Sequence, residues 1–410
     1  MRALASKFKV GVLVALSTAL CVGLWATPVH AQNKAGKVVE VQASAQTEPV
    51  TSTGDAADDV AIWVNSTDAT QSRIVASDKK GGVVVFGLDG ATIQSLKVGR
   101  INNIDLRSGV LVDGKPRVLV VGSDRDSNAL RLWLMNEDNG TLVDAPGTKT
   151  TIGLVEPYGM CLAQVQTPRG LATYAFTSNR DGKVVQHELV MEAGVFVAKL
   201  VRTIEFSSEV EGLVADDAMG VVYASEEDVG VWRLPLVSND IATPGTEPDA
   251  TKPISIRLSP QEGAQADKSK ASAYVLIART GADQPLKADV EGIAIYVTGN
   301  NSRAAQATGL DSGVIIVSSQ GSSTFAVYER ALANRYVGSF RVVGATGIDA
   351  VDETDGVEAT SASLGALYPF GLLVVQDGSA SGKNQNFKLI GWEKVAKEFE
   401  PRLPMGSARP

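Results

Sequence analysis

Six stretches of this chain repeat one plan, and the plan leaves few folds open. Each is a short apolar run, a turn, a second apolar run, a polar tip and a third run. The first unit reads DDVAIWV and SRIVASDKKGGVVVFGLDG; the second, NNIDLRSGV and RVLVVGSDRDSNALRLWLM; the third, PYGMCLAQV and LATYAFTSNRDGKVVQHELV. The fourth is VEGLVADDAMGVVYASEEDVGVWRLPL; the fifth, VEGIAIYV and SGVIIVSSQGSSTFAVYER; the sixth, TDGVEATSA, GLLVVQDG and NQNFKLIGW. The runs are rich in Val, Ile, Leu and Tyr and are bounded by Gly, Asp, Asn and Ser, a pattern of strands and turns. A period of about 60 residues with several strands per unit predicts propeller blades, and six lies within the roughly four to eight blades such rings use. An irregular β-sandwich of similar composition would not explain why polar residues recur at the same two places in every unit. The expectation is an all-β, single-domain, six-bladed β-propeller over residues 48–395. WEKVAKEFE is the best helix candidate, and residues 396–410 form a C-terminal tail. KVVEVQASA, within residues 32–47, alternates and could supply a strand that closes the ring and protects a sheet edge. Between Val237 and Lys287 the chain is mostly Pro-, Gly-, Ser- and charge-rich, so a long loop is expected there, with PISIRL and AYVLIA as strands inside it.

The first residues stand outside this plan. MRALASKFK is basic, VGVLVALSTALCVGLWA is apolar and TPVHA offers small residues, which reads as a secretory signal over residues 1–31 cut after Ala31. Bulky Leu20 ahead of Cys21 argues against lipid attachment, and the A-x-A-like site argues against a retained anchor. No later run approaches about 18 unbroken apolar residues, so no further membrane span is expected. The reading is a secreted or periplasmic protein, with no membrane partner once the signal is gone.

Composition then removes whole classes of chemistry. Loss of Arg2, Lys7 and Lys9 with the signal, and of no acid, moves the formal charge from −8 to −11, which argues against nucleic acid as a partner. Cys161 remains alone, so no internal disulfide forms, and in GMCLA it reads as a small core residue. His30 leaves with the signal and only His187 stays, in the alternating run KVVQHELV. A zinc site built on several histidines is excluded, and a Ser-His-Asp triad has no supporting motif. Chemistry must come from carboxylates, Lys, Arg, Tyr and an oxygen-bound metal.

The recurring polar positions supply those groups. After the second run, the first three units place Lys79, Lys80, Arg125 and Arg180; the last three place Glu226, Glu227, Asp228, Gln320 and Asp377. At the start of the first run stand Asp58 and Asp59, Asn102, Asn103 and Asp105, Tyr158, Glu211, Asp289 and Glu291, and Asp355. In a propeller, equivalent loops meet at one end of the central channel, so these residues should line one mouth, half cationic and half anionic. Solvated loop tips are the plain alternative for any single residue, but the segregation of sign by blade favours a site. The oxygen-rich half suits calcium, which takes many oxygen ligands, better than magnesium. DAVDETDG is not an EF-hand, because Asp349, Asp352 and Asp355 are spaced by three. Calcium beside a Lys/Arg array is a site for a polyanion. Metals clamped on a phosphoryl group also offer hydrolysis without histidine or cysteine.

DAADDVAIWV, SDKKGGVVVFGLDG, INNIDLR, VEGLVAD, ASEEDVGVW, DVEGIAIY, SSQGSSTFAVYER, YPFGLLVVQDG and NQNFK resemble the β-propeller phytases, in the same order from Glu48 to Trp392. The resemblance implies a 3-phytase-type phosphomonoesterase. It would hydrolyse phytate, myo-inositol hexakisphosphate, to lower inositol phosphates by attack of a calcium-bridged water, without a phospho-enzyme. It implies several calcium ions, structural and catalytic, a calcium–phytate complex as the small-molecule substrate, and paired cleaving and binding phosphate sites. By motif, Asp58, Asp59, Glu211, Glu227, Asp289, Glu291 and Gln320 would hold calcium, with Asn102, Asp355 and Asp377 as further ligands. Lys79, Lys80, Arg125, Tyr158 and Arg180 would hold phosphates, and Glu211, Asp58 and Glu227 would be catalytic. A monomer is expected.

The chain departs from the family pattern at Val60, where Pro is usual, at Arg180, where Lys is usual, and at Gln46, where Glu is usual. QDGSA, from Gln376, replaces QDGEN. Gln46 and QDGSA both weaken a structural calcium site. A lactonase-like calcium hydrolase would not need four basic residues at the mouth. A non-catalytic calcium- or polyanion-binding propeller would use the same residues as the enzyme, so sequence separates the two poorly.

Overall fold

The computed structural model describes residues 36–237, 254–260, 263–264, 274–298, 312–379, 382–399 and 403. The predicted signal, most of the Val237–Lys287 loop and most of the tail lie outside them.

Six antiparallel meanders stand around a central channel, each with its first strand innermost. The inner strands are Ala57–Trp63, Ile101–Val112, Met160–Thr167, Val210–Asp216, Val290–Val297 and Val357–Thr360. Each sheet buries both faces, which is why the runs read as continuously apolar rather than alternating. The core is accordingly six clusters among the described residues, one between each pair of neighbouring blades. Trp63 and Trp133 meet between blades one and two, Phe176 and Trp232 between three and four, and Ile74 and Val374 between six and one.

The ring closes through the start of the chain. Blade six takes three strands from the end of the sequence and its outermost, Ala45–Gln46, from the beginning, antiparallel to Asn386–Gly391. Just before it, Val38–Gln42 runs parallel to Tyr336–Val343, the outer strand of blade five. The helix forms at Trp392–Glu398, where the Trp392 ring stacks on Tyr296 at 3.6 Å. Packing continues beyond residue 395: Ala396, Phe399 and Leu403 are buried.

The long loop is an insertion inside blade four, between strands Gly230–Pro235 and Val275–Arg279. Its strand Ile254–Ser259 pairs parallel with Val195–Glu205 of blade three. The fully buried Arg202 ties the base of the insertion down, donating to Gln186 Oε1 at 2.7 Å, Tyr274 Oη at 2.9 Å and the Pro235 carbonyl.

Candidate active site

Two devices aim side chains into the mouth. The first is a bulge. In blades one, two, four and five the inner strand slips out of register at one equivalent place, around Asp58–Asp59, Asn102–Asn103, Glu211–Gly212 and Glu291–Gly292. A bulge re-aims a side chain and increases local twist. The Gly in the repeated acid–Gly pair is needed because neighbouring inner strands touch there. Gly292 N–H donates to the Asp355 carbonyl at 2.7 Å and Gly356 N–H to the Asp58 carbonyl at 3.0 Å, and a Cβ on either would strike that carbonyl.

The second device is the polar residue ending each second strand. Ser123 Oγ donates to the Tyr158 carbonyl, Ser178 Oγ to the Val210 carbonyl and Ser318 Oγ to the Thr354 carbonyl, each stitching one blade to the next. Gln376 does the same from blade six, donating to the Ala57 carbonyl at 3.1 Å and accepting from Asp355 N–H at 2.8 Å.

On this frame the acids converge. Oxygens of Glu211, Glu227 and Glu291 lie within 4.8 Å of one another. Asn102 joins them to blade one, its Nδ2 donating to Asp58 Oδ2 at 2.8 Å and Glu211 Oε1 at 2.6 Å. Gln320 donates to Asp355 Oδ1 at 2.6 Å. Burial drives their titration. Asp58 and Asp355 are pushed up to about 7 and Glu227 to about 8, chiefly by desolvation. Desolvation and the neighbouring acids also hold Glu291 well above the usual carboxylate range, and Glu211 is raised as well. Glu227 Oε1 and Glu291 Oε2 are buried without a hydrogen-bond partner among the described residues. Unpartnered acceptors beside like charges are what a bound cation would satisfy, so this donor set fits a hard, oxygen-seeking metal ion.

The cations divide. Lys79 sits among the acids: its Nζ lies 2.7 Å from Asp55, 2.8 Å from Asp58 and 3.0 Å from Asp355. These acids hold it charged, well above its ordinary range. Lys80 is exposed and donates to the Thr53 carbonyl at 2.9 Å. Arg180 lies over the Tyr158 ring at 4.8 Å and Arg125 at 6.0 Å from the same ring, while Arg125 also donates to Asn102 Oδ1 at 3.0 Å. The Tyr158 hydroxyl bonds Glu211, so this ring joins the cationic half to the anionic half.

Other predicted residues fall elsewhere. Asp59 turns away from Asp58 into the lower channel, where its Oδ2 accepts from Ile104 N–H at 3.0 Å. It lines a cavity of about 270 Å³ with Asp105, Arg107 and Glu358. Asp377 is fully buried on Lys388 Nζ at 2.5 Å, which also meets Asp349 at 2.8 Å. Glu226 is not at the mouth: strand alternation turns it inward, where it accepts from Trp232 Nε1 at 2.6 Å and from Ser207 and Ser208 N–H. Asp289 is exposed, near Glu227. Sequence reasoning gave no role to Glu156, Glu209 or Glu358; an acid shortly before an inner strand was the available signal for the first two.

A closed six-bladed ring whose mouth sets buried carboxylates against arginines defines a propeller with a site built for an anionic ligand. The comparisons with known proteins agree. The phytase family profile matches residues 9–246 and 261–407, and this chain belongs to that family. It is 32% identical to a 3-phytase of Bacillus subtilis (strain 168) over 369 residues, covering 88% of this chain and 85% of that protein. A solved auxiliary nutrient binding protein from Bacteroides thetaiotaomicron is also similar, over 87% of this chain and 75% of its own. Its 8% identity and TM-score of 0.47 are too low to bear on function.

Proposed function

We propose that this chain hydrolyses phytate, releasing phosphate and lower inositol phosphates, and that it does so with calcium. One observation carries the reading: Glu211, Glu227 and Glu291 share oxygens within 4.8 Å at the foot of a mouth whose opposite wall is Arg125 and Arg180 on Tyr158. Glu211, Glu227, Glu291, Asp58 and Asp355 would hold the ions, with Asp289 and Gln320 at the edge of the set. Bound calcium supplies charge neutralisation and an acidified water there.

The chain's own residues do the rest. Arg125 and Arg180 grip phosphate oxygens in pairs, and the shared Tyr158 ring fixes the spacing of the two guanidinium groups. Lys80 adds a flexible charge at the rim. Lys79 draws Asp58 and Asp355 toward their ionised forms and holds them in place. Asn102 locks Asp58, Glu211 and Arg125 into one geometry, so orientation is set before substrate arrives. Asp59 and Asp377 serve elsewhere in the ring, the first in the lower channel and the second on Lys388. A signal over residues 1–31 would make the enzyme secreted or periplasmic, and it would act as a monomer. Among the described residues no helix is long and apolar enough to cross a membrane.

The test is phosphate release from phytate while calcium is raised from zero to excess. Activity should appear with calcium, and Glu211→Gln should lower turnover by about 10³-fold with a nearly unchanged melting temperature. No phosphate release at any calcium concentration would overturn the reading.

A further inference from the structure

Two buried glutamines of blade six hold the backbone from which mouth acids project. Gln376, fully buried, donates from Nε2 to the Ala57 carbonyl at 3.1 Å and accepts at Oε1 from Asp355 N–H at 2.8 Å. Gln385, 7% exposed, accepts at Oε1 from Ala56 N–H at 2.6 Å and from Ala57 N–H at 2.9 Å, and donates from Nε2 to the Gly378 carbonyl at 2.7 Å. Backbone partners fix which end of each amide is oxygen and which is nitrogen. The Ala56 carbonyl in turn accepts from Lys79 N–H at 2.7 Å. Asp58 and Asp355, whose carboxylates meet on Lys79 Nζ at 2.8 and 3.0 Å, thus hang on peptide groups that these two amides hold. At three other seams of the ring a serine hydroxyl makes the link to the next blade. Here the two acids come from opposite ends of the sequence, and no short stretch of chain sets their spacing. A glutamate at either position would add a further buried charge to a crowded set of acids; an amide positions without charge.

We propose that Gln376 and Gln385 are positioning residues that fix the spacing of the Asp58 and Asp355 carboxylates and thereby the affinity of the mouth for calcium. This rests on the functional reading above. Groups that orient a metal's ligands govern how tightly it binds, because a ligand that must first be ordered costs affinity. Without the Gln376 amide, the Ala57 carbonyl and Asp355 N–H are left buried and unpaired. The two inner strands then shift to satisfy them, and the carboxylates move with the strands. Neither glutamine takes part in the reaction, so turnover at saturating calcium is preserved while the calcium requirement rises.

Calorimetric titration of the full chain with calcium, well below the melting temperature of every variant, reads this directly. The mouth ions are the binding step that Glu211→Gln removes. Gln376→Met keeps the volume but loses both bonds, and should weaken that step roughly 10- to 100-fold. Gln385→Met should do the same, and keeps the test open if the first variant folds poorly. Phosphate release from phytate should need correspondingly more calcium, yet reach within about twofold of the parent's rate at saturation. Thr47→Val separates position from stability. Thr47 Oγ1 accepts from Phe387 N–H at 3.1 Å on the same leading segment but holds neither acid's backbone. It should lower the melting temperature and leave the calcium step unchanged. An unaltered calcium step in both glutamine variants, or an equal loss in Thr47→Val, overturns the inference while leaving phytate hydrolysis standing. If the parent shows no calcium step that Glu211→Gln removes, or releases no phosphate from phytate, the reading beneath it falls as well.

Discussion

Lys79 shows how much of this site is balance of charge. One ammonium touches three carboxylates, and nearby in the mouth Glu227 and Glu291 keep acceptors without a hydrogen-bond partner among the described residues. That imbalance has a signature in pH. Asp58 and Asp355 titrate at about 7 and Glu227 at about 8 in the fold, against roughly 4 when unfolded. A raised folded value means that the folded chain binds the extra protons. The stability from these groups is therefore full below about pH 4 and is lost as pH rises through 7 to 8. His187, pushed down to about 4 by burial, has the opposite slope, but it acts only below roughly pH 6.5. Protein stripped of divalent ions should therefore melt at falling temperature from pH 6.5 to 8.5, and calcium should flatten the curve. A melting temperature that rises with pH under chelation would contradict it.

At this scale the sequence was most informative where a residue's neighbours on the chain matter least. The convergence of Glu211, Glu227 and Glu291 was legible because the repeat puts each at one of its two recurring polar positions. Glu226 was misplaced because strand alternation decides which of two adjacent acids faces the channel. The lysine at 79 reads as a phosphate-binding residue, but the acids from blades one and six that gather around it could not be foreseen from its own stretch of chain.

At the scale of single elements, the inner strand is the working part. Its acid–Gly pair was visible as VEG, VEG and TDG, but the reason for the glycine was not. It lies in the carbonyl of the next blade, which no local pattern records. Gly292→Val should push blade five away from blade six at Asp355 and destabilise the fold by about 2–4 kcal/mol. Urea unfolding measures this, and a variant as stable as the parent would show that the strands do not touch there. The insertion in blade four teaches the same lesson. PISIRL and AYVLIA were both recognisable as strands, yet the first joins blade three and the second completes blade four. Partner choice depends on contacts from distant parts of the chain, such as the buried Arg202 network, which a strand pattern does not contain.

For the whole molecule, the decisive contact is between its two ends. Lys394 Nζ donates to the Ala43 carbonyl across 351 residues, and Ala45–Gln46 completes a sheet begun at Val357. Removing residues 36–46 should lower the melting temperature by more than about 10 °C without altering the mouth residues themselves; a small shift would mean that the ring stays shut unaided. The count of blades was readable from periodicity alone. The way the circle is fastened was only half readable, since the opening segment serves blade five as well as blade six.

That fastening has a consequence for assembly. The first strands to emerge must wait, unzipped, until the last are made, and the seat they leave fits the same segment of any other copy equally well. Concentrated refolding should therefore trade leading segments between molecules and yield swapped dimers, whereas dilute refolding returns each segment to its own ring.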